Sequence, residues 1–175
     1  ANGTILVKDI NPSSSSNPTE FIIFQERMLF QADDGIYSRE LWSSDGTAEG
    51  TELFKDLDTT TNITFPSESG GNPRSFFIFQ RDLYFVANKA DNSMTSPYKR
   101  FLWKSDGTVS GTQPMSQFGT DGFGELLALT NYNESLFFIV VDRVDFISTL
   151  YKQSLIPASK SVYYKHLTLP TIQPF

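Results

Sequence analysis

The chain has 175 residues, of which 39% are hydrophobic and 19% charged, so it is long enough to bury a core and is not disordered in composition. A formal net charge of −6 argues against electrostatic attraction to nucleic acid or to an anionic membrane. The absence of cysteine excludes disulfides, thiolate metal sites and cysteine nucleophiles, and one histidine, His166, argues against a histidine-based triad or a multi-histidine metal centre.

The first part of the chain predicts short strands separated by turn sequences, because aromatic and β-branched residues dominate its apolar segments. Gly3–Ile10 is the first predicted strand, and a Ser-rich loop follows it. Phe21–Phe24 and Met28–Ala32 are two strands joined by a tight turn. Glu40–Trp42 is a third strand, and the sequence Ser-Ser-Asp-Gly then leads into a fourth, Thr51–Leu57.

The same order of elements recurs later in the chain. Phe76–Asn88 matches the earlier strand pair almost position for position, and Arg100–Trp103 is the next strand. In a weaker third copy, Leu126–Asp142 replaces the strand pair, and Ser148–Ser154 carries Tyr151 where the other copies have Trp. The repeat is about fifty residues long, which is typical of stacked structural units rather than of a catalytic motif.

Leu-Trp-Xaa-Ser-Asp-Gly-Thr-Xaa-Xaa-Gly-Thr occurs twice and is the clearest signal in the sequence. Asp can bond to nearby backbone in a turn, Gly can take positive φ, and Trp offers a large apolar plate for packing. The motif therefore predicts a repeated turn and packing site. Its residues are Trp42, Asp45, Gly46 and Gly50 in the first copy, and Trp103, Asp106, Gly107 and Gly111 in the second.

Four antiparallel strands in each repeat predict an all-β fold, a β-propeller segment of about three four-stranded blades. The expected blades cover approximately residues 1–50, 51–111 and 112–156. Residues 157–175 match no repeat element and could be an added strand, an irregular terminus or translated non-coding sequence. Closed propellers have four to eight blades. We therefore expect a partial propeller, either a fragment of a longer polypeptide or a ring completed by adjacent chains.

Residues 1–156 resemble the tandem ELWxSDGTxxGTxLVKDI repeat family, on the strength of the two motif copies above and of the segments GTILVKDI and GTELFKDL. The resemblance implies propeller-like blades in a large secreted or cell-surface protein, and it implies no enzyme activity. The expected function is a non-catalytic structural or interaction module of such an assembly or filament. Its partners would be further blades or adjacent protein chains, contacted through insertions at Thr59–Gly71 and Asn88–Lys99.

A carbohydrate-active or glycan-binding propeller is the alternative, with its functional residues in blades outside this chain. Tyr37 or Tyr98 would then offer an aromatic platform. The sequence contains no serine hydrolase, nucleotide-binding or zinc protease motif, so we expect no catalytic residues, no metal and no cofactor. Asp33-Asp34-Gly35 is a weak calcium candidate, for which turn formation is the simpler interpretation.

Three Asn-Xaa-Ser/Thr triplets are candidate N-glycosylation sites if the chain is secreted, at Asn2, Asn62 and Asn133. Asn62 lies within a predicted exposed insertion and is the best of the three. Asn133 lies at a predicted hairpin turn, whereas Asn2 overlaps the repeat's own Gly-Thr.

Overall fold

The computed structural model describes residues 3–59, 70–90, 98–117, 125–141 and 148–154. These residues form eleven β-strands and no helix, as the all-β prediction requires. None of them forms an apolar helix of the length needed to cross a membrane. Asn2, Asn62, the tail from residue 157 onward and most of both insertions lie outside the described residues.

The strands form three antiparallel sheets. Sheet 1 holds β1 to β4 in sequence order, sheet 2 holds β5 to β8 in the same order, and sheet 3 has the order β11-β10-β9. The strands of sheet 1 are β1 (Thr19–Phe24), β2 (Arg27–Asp33), β3 (Arg39–Ser44) and β4 (Glu52–Lys55). Those of sheet 2 are β5 (Arg74–Phe79), β6 (Asp82–Ala90), β7 (Tyr98–Ser105) and β8 (Gln113–Gln117). Those of sheet 3 are β9 (Glu125–Tyr132), β10 (Ser135–Val141) and β11 (Ser148–Ser154).

Strand register follows the repeat seen in the sequence. Phe30 pairs with Trp42 in sheet 1, and Phe85 pairs with Trp103 in sheet 2. Phe138 pairs with Tyr151 in sheet 3, so Tyr151 occupies the tryptophan position. Sheets 1 and 2 also share a register shift immediately before the tryptophan of their third strand. Irregularities of this kind at equivalent positions indicate the same backbone design in both repeats.

The prediction of a strand at Gly3–Ile10 is wrong. Residues 3–9 carry no strand, and the side chains of Ile5 and Leu6 are 79% and 80% exposed. A strand needs a neighbour to take up its backbone hydrogen bonds, and no described strand pairs with this segment. The fourth position of sheet 1 belongs to β4.

The chain divides into two compact units, Ala1–Gln117 and Phe118–Phe175. In the first unit, sheets 1 and 2 share one hydrophobic core. Sheet 1 contributes Phe24, Leu29, Leu41 and Phe54, with Leu57 just beyond β4, and sheet 2 contributes Leu83, Phe85, Ala87 and Trp103. Sheet 3, in the second unit, buries alternate residues of β10 at Leu136, Phe138 and Val140.

Candidate functional site

The Ser-Asp-Gly-Thr turn of the first repeat is held by its own side chains. The Asp45 carboxylate accepts hydrogen bonds from the backbone N–H (2.9 Å) and the hydroxyl (2.7 Å) of Thr47. The Thr47 hydroxyl oxygen in turn accepts from the Gly50 N–H (2.9 Å), and the Thr47 carbonyl accepts from the Thr51 hydroxyl (2.6 Å). The Ser44 and Thr51 hydroxyls lie 2.7 Å apart and form a buried hydrogen bond between the two ends of the turn.

The second repeat reproduces this network with distances that differ by no more than 0.1 Å. Asp106 accepts from the Thr108 N–H (2.9 Å) and hydroxyl (2.7 Å), and the Gly111 N–H donates to the Thr108 hydroxyl (2.9 Å). The Ser105 and Thr112 hydroxyls again lie 2.7 Å apart. The turn is therefore specified by its own sequence, because two copies with different neighbours adopt one geometry.

Backbone geometry explains why both of these positions in each motif are glycine. Gly46 and Gly107 have φ of 93° and 91°, a region that side chains disfavour. A Cβ at Gly50 would collide with the Asp45 carboxylate, and one at Gly111 would collide with that of Asp106. The second glycine thus makes room for the aspartate that holds the turn.

The same hydrogen bonds shift the acidity of the two aspartates. The Thr47 hydroxyl and then the Thr47 N–H lower the pKa of Asp45, and Thr108 lowers the pKa of Asp106 in the same way. Both carboxylates are exposed, so they remain charged in the folded state and act as acceptors within the turn. Their role in the structure is to hold the turn.

Each turn is also contacted by a lysine from the segment that aligns with the preceding repeat's fourth strand. The Lys55 Nζ donates to the carbonyl oxygen of Val109 (2.8 Å) in the second turn. Lys8 aligns with Lys55, and its Nζ donates to the carbonyl oxygens of Ala48 (3.2 Å) and Thr51 (2.6 Å) in the first turn. Ala48 and Val109 are equivalent motif positions. We call this repeated contact the lysine clasp.

Gln25 adds a second connection between the two repeats. It lies in the tight turn between β1 and β2, and its Nε2 donates to the backbone carbonyl of Asp106 (2.7 Å). The second turn is therefore held from two points on sheet 1, by Gln25 and by Lys55. Sequence reasoning missed both roles, although the alignment of Lys8 with Lys55 was a visible signal.

The two tryptophans occupy equivalent buried positions but face different surroundings. Trp103 lies in the core shared by sheets 1 and 2, stacks on Phe85 with ring centroids 6.1 Å apart, and donates its indole N–H to the Ala87 carbonyl (3.3 Å). Trp42 packs with Phe30 and Ala32 on the outer face of sheet 1. Its indole N–H has no hydrogen-bond partner among the described residues.

Glu40 is a buried acid that sequence reasoning did not single out. Its Oε2 accepts from the Leu57 N–H (2.7 Å) and its Oε1 from the Gly71 N–H (2.5 Å), and the side chain is fully buried. Burial raises the pKa of Glu40 to about 8, with smaller contributions from the charges of Asp56 and Asp58, although the two N–H donors act in the opposite direction. Both carboxyl oxygens are committed to backbone groups, which indicates a structural rather than a catalytic role.

The other candidates do not converge on a site. Asp33 accepts from the Gly35 N–H, and Asp34 from the Ile36 and Tyr37 N–H groups, as turn-forming aspartates do. Across the described part of the chain, no group of three or more His, Cys, Asp or Glu residues could hold a metal ion. Tyr37 is 46% exposed, and the side chain of Tyr98 lies outside the described residues.

Asn133 is the one glycosylation candidate within the described residues. It is exposed in the turn between β9 and β10, where it and Glu134 both have positive φ, as two-residue hairpin turns require. Its backbone carbonyl accepts from the Ser135 hydroxyl (3.3 Å). The side chain that would carry a glycan therefore lies at the tip of a hairpin.

No family model, curated protein or solved structure matches this chain. The resemblance to the tandem repeat family therefore stays a prediction. The structure itself shows a repeated turn, the lysine clasp and a hydrophobic core shared by sheets 1 and 2.

Proposed function

We propose that the chain is a non-catalytic interaction module of an extracellular or cell-surface assembly, built from β-propeller blades that stack one on the next. One observation carries the proposal: the Trp103 face of sheet 2 packs against the Leu29 and Leu41 face of sheet 1. Both sheets have the same strand order and tryptophan position, so a surface that joins two sheets can join more. Face-to-face stacking of such units is how repeat proteins bury their cores.

Contacts between the first strands support a propeller arrangement in particular. The Ser75 N–H of β5 donates to the Glu20 carboxylate of β1 (2.9 Å). At the opposite side of sheet 1, Lys55 of β4 reaches the turn that precedes β8. First strands therefore lie near first strands, and fourth strands near the turns that lead into fourth strands. These contacts support the proposal, because adjacent blades of a propeller would place inner strands beside inner strands and outer strands beside outer strands.

Further blades or adjacent protein chains are the proposed partners, and N-linked glycans are proposed on the exposed surface. The chain's acidic character suits a soluble surface rather than a nucleic-acid or membrane contact. The lysine clasp supports stacking as the chief role, because Lys55 joins sheet 1 to the turn that precedes β8, and Lys8 makes the equivalent contact with the first turn.

Hydrogen exchange on a Trp103→Ala variant tests the stacking. If the two sheets form one stacked module, the loss of Trp103 from sheet 2 should also reduce protection of Leu41 and Phe54 amides in sheet 1, because these residues share its core. The matched control is Val109→Ala, at a 53% exposed position of the second repeat, which should leave sheet 1 unchanged. Loss of protection confined to sheet 2 would contradict the stacked module.

Expression through a eukaryotic secretory pathway tests the extracellular setting. Intact-mass analysis should detect glycans that are lost in Asn62→Gln or Asn133→Gln variants. A secreted chain with neither site occupied would count against this part of the proposal and would leave the stacking untouched.

A further inference from the structure

The segment before sheet 1 makes the contacts that the end of a fourth strand makes in the next repeat. Residues 3–11 align with residues 50–58, which contain β4 and its continuation. Lys8 clasps the first turn as Lys55 clasps the second. Ile10 packs against the cluster that contains Trp42, and its counterpart Leu57 lies in the cluster that contains Trp103.

Residues 5–7 are exposed, whereas the corresponding residues 52–54 belong to β4, which pairs with β3. In β4, Leu53 pairs with Trp42 of β3, and Phe54 is only 9% exposed. The corresponding Leu6 and Val7 are 80% and 39% exposed, and Ile5 is 79% exposed. Three consecutive apolar residues are thus exposed and paired with no described strand, and soluble proteins ordinarily cover such a segment.

The neighbouring face of sheet 1 is also incompletely covered. Phe21 stacks on Phe30 of the Trp42 face with ring centroids 5.5 Å apart, and yet it is 56% exposed. Its counterpart Phe76 packs against the core shared by sheets 1 and 2. The cover that Phe76 has and Phe21 lacks is the Leu29 and Leu41 face of a preceding sheet.

Resting on the stacking function proposed above, we infer that residues 5–8 and the Phe21 side of sheet 1 bind the first three strands of another sheet of this same repeat. Residues 5–8 would become its fourth strand, beside a third strand reading Leu-Trp-Xaa-Ser. The β3–β4 register sets the pairing: Trp42 lies opposite Leu53, and Ser43 opposite Glu52. The partner's tryptophan therefore lies opposite Leu6, and the residue that follows the tryptophan lies opposite Ile5.

The chain itself supplies the probe for this inference. Placing a copy of residues 11–47 directly before Ala1 puts Thr47 ahead of Ala1, as Thr47 naturally precedes Ala48. The added segment contributes three strands and an intact Ser-Asp-Gly-Thr turn. We expect backbone amides of residues 5–8 to gain about tenfold or more in protection, and the unfolding midpoint to rise by about 5 °C or more.

Two controls separate specific pairing from a general effect of added chain. Trp42→Asp within the added copy should abolish the gain in protection at residues 5–8. Leu6→Asp should change little in the original chain, where Leu6 is exposed, but should remove the gain in the extended one. A second extension, built from residues 58–108, has the same strand order with different side chains and keeps the test decisive if the first does not fold.

Each remaining outcome overturns the inference. Residues 5–8 that stay unprotected in folded extended chains show that the edge does not accept this sheet. Equal gains with and without Trp42→Asp in the copy show a non-specific effect. Self-association of the original chain that Leu6→Asp abolishes makes a second copy the occupant instead. If Trp103→Ala leaves sheet 1 fully protected, the stacking function itself has failed, which is a separate result.

Discussion

The first and second repeats build the same turn in different surroundings. The Asp45 and Asp106 networks agree in every side-chain distance to about 0.1 Å. An equivalent position on the third strand differs: Glu40 of the first repeat is a buried acid bonded to the Leu57 and Gly71 N–H groups, whereas Phe101 of the second packs against the shared core. Local hydrogen bonding therefore fixes the turn, whereas the neighbour decides what each face of a sheet contains.

The tryptophans show the same division. Both are buried, but the Trp103 indole N–H has a carbonyl partner and lies between two sheets, whereas that of Trp42 has no partner among the described residues. An unsatisfied buried donor costs free energy that a paired one does not. One motif residue should thus contribute differently to stability in its two copies.

Replacement of the tryptophans is the strongest way to test this difference. Trp103→Ala should lower the free energy of unfolding by about 3–5 kcal/mol, the range for emptying a large aromatic site. Trp42→Ala should cost about 1 kcal/mol less, since no hydrogen bond of its side chain is lost. Urea denaturation of both variants measures the two losses. Trp→Phe at each site is the matched control. If the two sites lose equal stability on replacement by Ala, and equal stability on replacement by Phe, the two tryptophans do not differ in their contribution.

Glu40 should give the first repeat a pH dependence that Phe101 cannot give the second. Its pKa is raised to about 8, so the folded state holds its proton more tightly than the unfolded chain does. The contribution of Glu40 to stability is therefore fully present below its unfolded pKa of 4.5 and is lost as pH rises towards 8, by about 3 kcal/mol between roughly pH 5 and 7.5. Burial and the charge of Asp58 raise the pKa of Asp56, which acts in the same direction.

Denaturation curves across that pH range test the assignment. Glu40→Gln cannot ionise and should flatten the profile, leaving only the smaller slope from Asp56. The control is Glu52→Gln, an exposed residue of β4 whose loss should preserve the slope. A Glu40→Gln profile as steep as that of the unaltered chain would show that Glu40 does not titrate in this range.

The turn glycines test the part of the comparison that should be equal. Gly50→Ala and Gly111→Ala should each cost about 2 kcal/mol, because the new methyl group displaces the aspartate carboxylate from its threonine. In an Asp45→Ala background, Gly50→Ala should cost little, since the obstacle is gone. Unequal costs at the two glycines, or simple additivity in the double variant, would contradict the shared mechanism.

Features that depend on residues close together in the sequence could be predicted, whereas features that depend on distant residues could not. Strand positions and the motif turn follow from the residues nearby in the sequence, and Tyr151 lies at the tryptophan position of the third sheet, as predicted. Glu40 could not be foreseen, because an acid beside Leu41 looks like a solvent-facing strand residue. Its burial depends on N–H groups of Leu57 and Gly71, which come from the connection between the sheets.

The Gly3–Ile10 segment shows the opposite error. Its sequence has the alternating character of a strand and also matches β4 closely. A strand forms only with a neighbour, and the described residues provide none for residues 3–9. Likeness of sequence to β4 is therefore not sufficient to make this segment a strand.

The lysine clasp should have the smallest effect and the most local one. Lys55→Met retains the aliphatic stem but loses the bond to the Val109 carbonyl, at a cost of about 1 kcal/mol or less because the contact is exposed. Hydrogen exchange should show faster opening at Gly111 and Thr112, with the first turn unchanged. Lys8→Met should reverse that pattern, loosening Gly50 and Thr51 while leaving the second turn intact. Because each lysine reaches only the turn of the repeat that follows it, this reciprocal pattern is what sequential stacking requires. If either variant loosens both turns equally, or neither, then the clasp does not join consecutive repeats.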